Sequence, residues 1–454
     1  MHLPRFMISA AHKSSGKTVV SLGLAAAFKN RGRDIGTFKK GPDYIDPMWL
    51  SAASGKPCYN LDFNAMQDAE ILPFFQSRAR ALNLVEANKG LFDGVAEDGS
   101  DSNAALAKTL QLPVILVIDT NGMTRGIAPL LQGYLQFDPD VQIVGVILNK
   151  TGGPRHESKL RAAVETYTDL PVLGAIGHAD KLNIGERHLG LTTPAESPAR
   201  DGFIAYAADT MATHVDLDRI EDIARHTVAL PGHPAPQPVT QIGKGLEIGI
   251  ARDRAFGFYY PDDLEAIAAL GATLIPFDTM KDTHLPDVDG LFIGGGFPEM
   301  FLSELQANTS LRTDIRTKLQ NGLPAYAECG GLMYLCRSIR WHDTTAEMVG
   351  LIDADALMHS KPTGRGHVRF ETTDTHPWGT IEGEVRAHEF HYAGLSGLPE
   401  NTRYARRMTR GFGVNREHDG IIIANTLAGF CHLRNTGPYP WVPKFLEFVR
   451  SRKN

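Results

Sequence analysis

The stretch RFMISAAHKSSGKTVVSLGLAAAFKNRG, Arg5 to Gly32, decides the fold of the first half of the chain. RFMISA is short, apolar and uninterrupted, as a strand buried on both faces reads. A Gly/Ser turn follows, then the helix-like VVSLGLAAAFKNRG, which is predicted to stop near Gly32. A loop between strand and helix aims backbone N–H groups at whatever sits there, and the helix dipole favours an anion. Ser14, Ser15, Gly16, Lys17 and Thr18 are therefore the candidate nucleotide-binding residues. Gly16 admits close backbone approach, Lys17 offers a point charge to β/γ phosphates, and the Thr18 hydroxyl can ligate magnesium. Ala11 stands where the strict GxxxxGK[ST] pattern has its first glycine, so GKT alone would be weak, and the strand–loop–helix context carries the reading.

Working outward, LPVILVIDT and VQIVGVILNK are further continuous apolar runs bounded by turn residues, the pattern of a parallel α/β sheet. Ligands in such sheets bind beyond the carboxyl ends of the strands, so polar residues there are candidates for function. KKGPDYIDP (Lys39 to Pro47) packs two cations and two acids together. Asp43 and Asp46 could hold magnesium or place a substrate carboxylate with Lys39 or Lys40, whereas in isolation the segment reads as a solvated turn. Glu86 ends the apolar part of LNLVEANKGLFDG, with Asp93 shortly after. Asp119 closes another strand as either a site acid or a turn former, and Asn149 and Lys150 close a third, where an NK pair can read a nucleotide base.

At 454 residues the chain is too long for one ordinary core. Its 43% hydrophobic and 22% charged residues fit a globular protein, and the net charge of -6 argues against nucleic-acid binding. The four cysteines form no CxxC pair, so neither a zinc knuckle nor a disulfide framework is suggested. No signal peptide and no membrane-length apolar run is legible, and the expectation is a cytoplasmic protein with small-molecule partners. A homodimer stays open.

PGHPAPQPVTQIGKG interrupts regular hydrogen bonding with four prolines and reads as a linker. The expected division is residues 1–228, a linker over 229–244, and a second α/β domain over 245–450. In that second domain, AECGGLMY reads as a sharp strand–turn–helix elbow presenting Cys329 at a helix N-terminus, where thiolate is favoured. The Gly330 amide is a natural oxyanion donor, and GGGFPE (Gly294 to Glu299) supplies a second segment able to cradle the oxyanion, at Gly295. The candidate base is His432 in LAGFCHLRN. A lone histidine is more often structural, and the elbow is what raises this one. Cys336 and Cys431 read as small buried residues. RAHEFHY has a metal-like composition, but its spacing suits no common site and favours a structural or interface role.

The phosphate loop, GPDYIDP, Glu86, RHLGL (Arg187 to Leu191), ARDRAFGFYYPDDLE, GGGFPE, AECGGLMYL and HEFHY occur in this order. In that order they resemble the cobyrinic acid a,c-diamide synthase family over nearly the whole chain. The resemblance implies an N-terminal P-loop parallel-sheet domain similar to dethiobiotin synthetase and a C-terminal class I glutamine amidotransferase domain. It implies that Cys329 and His432 release ammonia from glutamine. It further implies that ATP and Mg2+ serve the other domain, where a substrate carboxylate becomes an acyl phosphate and then a carboxamide. Thr18, Asp43 and Glu86 match the positions of magnesium ligands. Lys40, Tyr44, Asp46 and Asp93 fall in motif positions for substrate placement or coupling. The acid usual two residues beyond the histidine is here Arg434, which leaves a Cys–His dyad with no third member named. CYNLD lacks an arginine expected before its asparagine, and NKG replaces a more apolar turn. Cobyrinate is therefore weighed against a sirohaem or sirohydrochlorin-type macrocycle. A P-loop switch or chaperone with an inactive second domain is the non-enzymatic alternative, and loss of Cys329 or His432 would have favoured it.

Overall fold

The computed structural model describes residues 1–187, 190–232 and 240–453. His188 and Leu189 of RHLGL, and residues 233–239 of the proline-rich segment, lie outside them. The chain divides into two compact units, Met1–Ala235 and Pro236–Asn454.

In the first unit β1 (Arg5–Ala10) is followed by α1 (Lys17–Asn30) and β2 (Ile35–Lys40). Then come β3 (Cys58–Leu61), β4 (Leu82–Glu86), β5 (Val114–Asp119), β6 (Ile143–Thr151) and β7 (Val172–Gly177). They form one seven-stranded sheet in the order β3-β2-β4-β1-β5-β6-β7. Every pairing is parallel. Helices cover both faces, which is why these strands are apolar throughout instead of alternating. Parallel alignment sends the ends of β2, β4, β5 and β6 to the same edge as the loop after β1. In register, Glu86 lies beside Lys39 on one neighbour and Ile8 on the other, and Asp119 lies beside Asn149. Arg5 is fully buried within β1, and its guanidinium donates to the Leu110, Leu3 and Val228 carbonyls at 2.7, 2.9 and 2.9 Å. A charge buried there is tolerated because its donors are satisfied, and it ties the end of the unit to the first strand.

The second unit holds a nine-stranded mixed sheet. Thr273–Phe277, Glu247–Ala251, Gly290–Ile293, Ala325–Glu328 and Thr426–Gly429 run parallel in that spatial order. The antiparallel strands His418–Ile423, Arg403–Arg410, Gly364–Thr372 and Val385–His391 continue it. At the far strand His388 bridges back to His432, just past Thr426–Gly429, with the His432 amide donating to the His388 carbonyl at 2.8 Å. The antiparallel half therefore curls back toward the end of Thr426–Gly429. No helix among the described residues is long and apolar enough to cross a membrane.

One buried ion pair braces this curl. Arg406 and Asp419 are both fully buried, Arg406 Nη1 to Asp419 Oδ2 at 3.0 Å. The same carboxylate accepts from the Phe430 and Cys431 amides at 2.8 and 3.3 Å, and so holds the backbone leading into His432. Removing one partner of such a pair strands the other charge, at about 3–5 kcal/mol. Asp419→Ala is therefore expected to lower the unfolding midpoint of the second unit in calorimetry of the full chain. An unchanged thermogram would contradict this account.

Candidate active sites, one in each unit

In the first unit the loop after β1 turns on Gly16, whose φ of 90° lies in the left-handed region. A Cβ there would come within 2.2 Å of Asn149 Nδ2, and that amide donates to the Ser15 carbonyl at 2.9 Å. Asn149 thus clamps the loop onto β6. Beside the loop lies a cavity of about 510 Å³ whose lining includes Lys17, Thr18, Lys39, Asp43, Glu86 and Asn149. Ser14, Gly16, Asp46, Lys150 and Ile184 border it too. Ser15 is turned inward, its hydroxyl donating to the His12 carbonyl at 2.8 Å. Lys150 pairs with Asp119 at 2.7 Å, so that acid is engaged by a cation.

The acids converge on one ammonium. Lys39 Nζ lies 2.5 Å from Asp46, 2.7 Å from Glu86 and 4.0 Å from Asp43. Thr18 Oγ1 donates to Glu86 at 3.1 Å and Asp46 at 3.3 Å. Burial works against the Lys39 charge, but Asp46 and Glu86 outweigh it and hold the ammonium firmly protonated. Desolvation, with the charge of Asp46 adding to it, pushes both Asp43 and Glu86 above the usual carboxylate range. Lys17 is pushed down to about 8, by burial first and then by Lys39. Glu86 Oε2 is buried with no hydrogen-bond partner among the described residues. An acid-rich crevice with hard oxygen donors and an orphaned carboxylate oxygen fits a magnesium ion near the phosphates. Asp46, read from the sequence as an acid for magnesium or substrate placement, lies against both Thr18 and Lys39. Lys40 and Asp93 are engaged elsewhere. Lys40 Nζ donates to the Asp101 carbonyl at 2.5 Å, and Asp93 accepts from the Gly90 amide at 2.9 Å. Tyr44 immediately precedes the helix Ile45–Ser54 and is largely buried.

In the second unit the strand Ala325–Glu328 passes through Cys329, at φ 46° and ψ -101°, into the helix Gly330–Leu335. This strained residue is the elbow, and strain of this kind persists where surrounding packing enforces it. Gly330 lacks a Cβ for a reason: one would lie 2.9 Å from the Gly296 carbonyl oxygen. The Gly295–Gly296 segment thus lies directly against the elbow, and a Cβ on Gly295 would meet the His432 ring at 2.7 Å. Strand Thr426–Gly429 pairs in parallel with Ala325–Glu328, placing Gly429 beside Glu328, so the chain reaches His432 at the same sheet edge as Cys329.

His432 is buried, which alone would push its pKa down. Hydrogen bonds to Cys329 and Glu328, with their charges, outweigh burial and raise it to about 10. The helix after the elbow spans six residues, so the imidazolium, more than a helix dipole, is the cation beside this sulfur. His432 Nδ1 lies 3.4 Å from Glu328 Oε2. His388 stacks on His432 at a 4.9 Å centroid distance and 14°, and burial and the His432 charge keep it neutral. Glu389 accepts from the Phe412 and Gly413 amides, and His391 stacks on Phe430 at 3.9 Å. The HEFHY residues thus pack around the His432 segment. Glu328 escaped the sequence reading. Its one signal was its place before Cys329, where it reads as part of the turn string.

Residues 6–191 match the family model of the CobQ/CobB/MinD/ParA nucleotide binding domain, and residues 247–437 that of the CobB/CobQ-like glutamine amidotransferase domain. The cobyrinate a,c-diamide synthase of Magnetococcus marinus is 43% identical, over 99% of this chain and 98% of its own. That of Methanosarcina barkeri is 36% identical over 99% of this chain and 97% of its own. That of Dehalococcoides mccartyi is 38% identical over 100% and 99%. The chain belongs to the cobyrinate a,c-diamide synthase family. It is a glutamine-dependent, amide-forming ligase with a nucleotide-binding first half and an amidotransferase second half.

In this member of the synthase family, Gly16→Ala would force a left-handed backbone and a clash with Asn149, a strain of about 1–3 kcal/mol. The variant is expected to unfold earlier in thermal melts and to lose the stabilisation that added nucleotide gives the wild type. A full nucleotide-induced shift would contradict the role given to this turn.

Proposed function

We propose that the protein amidates acetate side-chain carboxylates of cobyrinate at the a and c positions, consuming ATP and glutamine. The observation that carries this reading is the coexistence, in one chain, of a thiol–imidazolium pair at a strand–helix elbow and a phosphate loop ringed by acids. The names of the full-length relatives support the substrate.

In the second unit the Cys329 thiolate attacks the glutamine carboxamide carbon. The Gly330 and Gly295 backbones are the candidate oxyanion donors, and developing negative charge is best met by fixed N–H groups in a dry site. His432 carries the proton taken from the thiol and delivers it to the departing nitrogen, releasing ammonia and leaving a thioester that water hydrolyses to glutamate. In the first unit the substrate carboxylate attacks the γ-phosphorus of ATP, giving an acyl phosphate and ADP. Ammonia then displaces phosphate to leave the carboxamide. Lys17 neutralises charge on the transferring phosphoryl group, and Lys39 holds Asp46 and Glu86 in place around Thr18. Thr18, Asp43 and Glu86, with Asp46 adjacent, are the residues that would hold a magnesium ion, which when bound supplies further charge neutralisation at the phosphates. Lys40 and Asp93 are assigned to bracing the backbone near this crevice, through the Asp101 carbonyl and the Gly90 amide, and Tyr44 to the start of the helix that carries Asp46.

Cys329→Ala is expected to abolish glutamine-driven amidation while added ammonia still supports it, and Lys17→Ala to abolish amidation with both nitrogen donors while glutamine hydrolysis persists. Equal loss of both nitrogen sources in Cys329→Ala would defeat this division of labour. Substrate identity is read by mass spectrometry of cobyrinate and sirohaem incubated separately with ATP, magnesium and glutamine. Exchange of OH for NH2 lowers the mass by about one unit per amidation, so cobyrinate is expected to lose about two units and sirohaem none. Amidation of sirohaem with cobyrinate untouched would overturn the substrate assignment.

A further inference from the structure

We propose that Glu328, the residue immediately before the nucleophile, is the positioning residue of the glutaminase site, orienting His432 through Nδ1 so that Nε2 serves Cys329. The proposal deepens the reading of Cys329 and His432 as the ammonia-releasing pair and rests on it.

Consecutive strand residues normally face opposite sides of a sheet. The strained backbone of Cys329 breaks that alternation, so that both the Glu328 carboxylate and the Cys329 thiol reach the His432 ring. Glu328 Oε2 lies 3.4 Å from Nδ1, and all of this is buried. The other oxygen, Oε1, is fixed from two directions, by the Leu433 amide at 2.9 Å and the Tyr326 hydroxyl at 2.5 Å. A carboxylate held by the amide that follows His432, and by the tyrosine two residues up its own strand, has little freedom to turn away. Burial first, and the Glu328 charge second, raise the Tyr326 hydroxyl well above its usual range, in keeping with a carboxylate beside it.

The groups facing His432 come from separate elements. Cys329 and Glu328 stand at the elbow, and His388 stacks on the ring from Val385–His391. Tyr260 approaches His388 edge-on, its hydroxyl 3.5 Å from Nδ1. Arg434, the residue where a third acid was sought, is instead turned to Asp262 at 3.2 Å. Among these, Glu328 is the acid on the imidazole. Such an acid selects the tautomer with hydrogen on Nδ1 and stabilises the imidazolium without itself taking the proton.

The test is Glu328→Gln in the full chain, with Cys329→Ala alongside. Glutamine keeps an oxygen for Leu433 and Tyr326 but presents an amide N–H to Nδ1. That N–H needs an acceptor there and so favours the tautomer with hydrogen on Nε2, which cannot take the thiol proton. Glutaminase kcat is expected to fall about 10²- to 10⁴-fold with KM for glutamine little changed. The acid limb of Cys329 alkylation by iodoacetamide is expected to move up by about one to three pH units, because the paired cation is lost. Tyr326→Phe, which removes one restraint on Oε1 and keeps the ring, is expected to shift the limb in the same direction by less, and it carries the test should Glu328→Gln fail to fold. An alkylation profile unmoved in every folded variant overturns the proposal, even if activity falls. Glutamine hydrolysis surviving in Cys329→Ala would instead overturn the underlying pair.

Discussion

A parallel strand delivers whatever follows it to one edge of its sheet, and both sites of this protein are built on that constraint. The phosphate loop leaves β1 at the edge where Lys39, Glu86, Asp119 and Asn149 lie at or near the ends of their strands. Ala325–Glu328 and Thr426–Gly429 are parallel neighbours, so Cys329 and His432, far apart in sequence, emerge side by side. Antiparallel pairing of those two strands would have sent the histidine to the opposite edge.

Each site then has to keep charge out of water, and the two do so differently. In the first unit Asp43, Asp46 and Glu86 surround one lysine, leaving an excess of negative charge beside a loop of backbone N–H groups and Lys17. Burial first, and the Asp46 charge after it, raise the carboxylates Asp43 and Glu86, and acids so placed suit a crevice that takes a cation. In the second unit opposite charges are matched locally. His432 stays protonated because Cys329 and Glu328 flank it, while His388, stacked on it, is driven neutral by burial first and then by the His432 charge. Two imidazoles in parallel contact thus hold different charge states, and the neutral ring adds no repulsion to the pair that matters.

The supporting layer follows the same logic. Arg406 and Asp419 hold each other and the backbone before His432, and Asp262 holds Arg434 after it. The His432 ring is therefore flanked on both sides of the chain by buried ion pairs.

Much of this was legible from residue order. RFMISA, the small-residue turn and the following helix specify strand, loop and helix through periodicity and local backbone preference, information that lies within a few residues. Cys329 is announced by glycines whose absence of Cβ the elbow requires, and the acids after apolar runs are announced by where such runs end. What sequence alone left open was which polar side chains meet. Glu328 touches a histidine more than 100 positions away, and Asp46 reaches both Thr18 and Lys39. Periodicity encodes which face of an element is buried. Partner choice between buried charges depends on strand order, register and one strained φ, and these exist only once the sheets have formed.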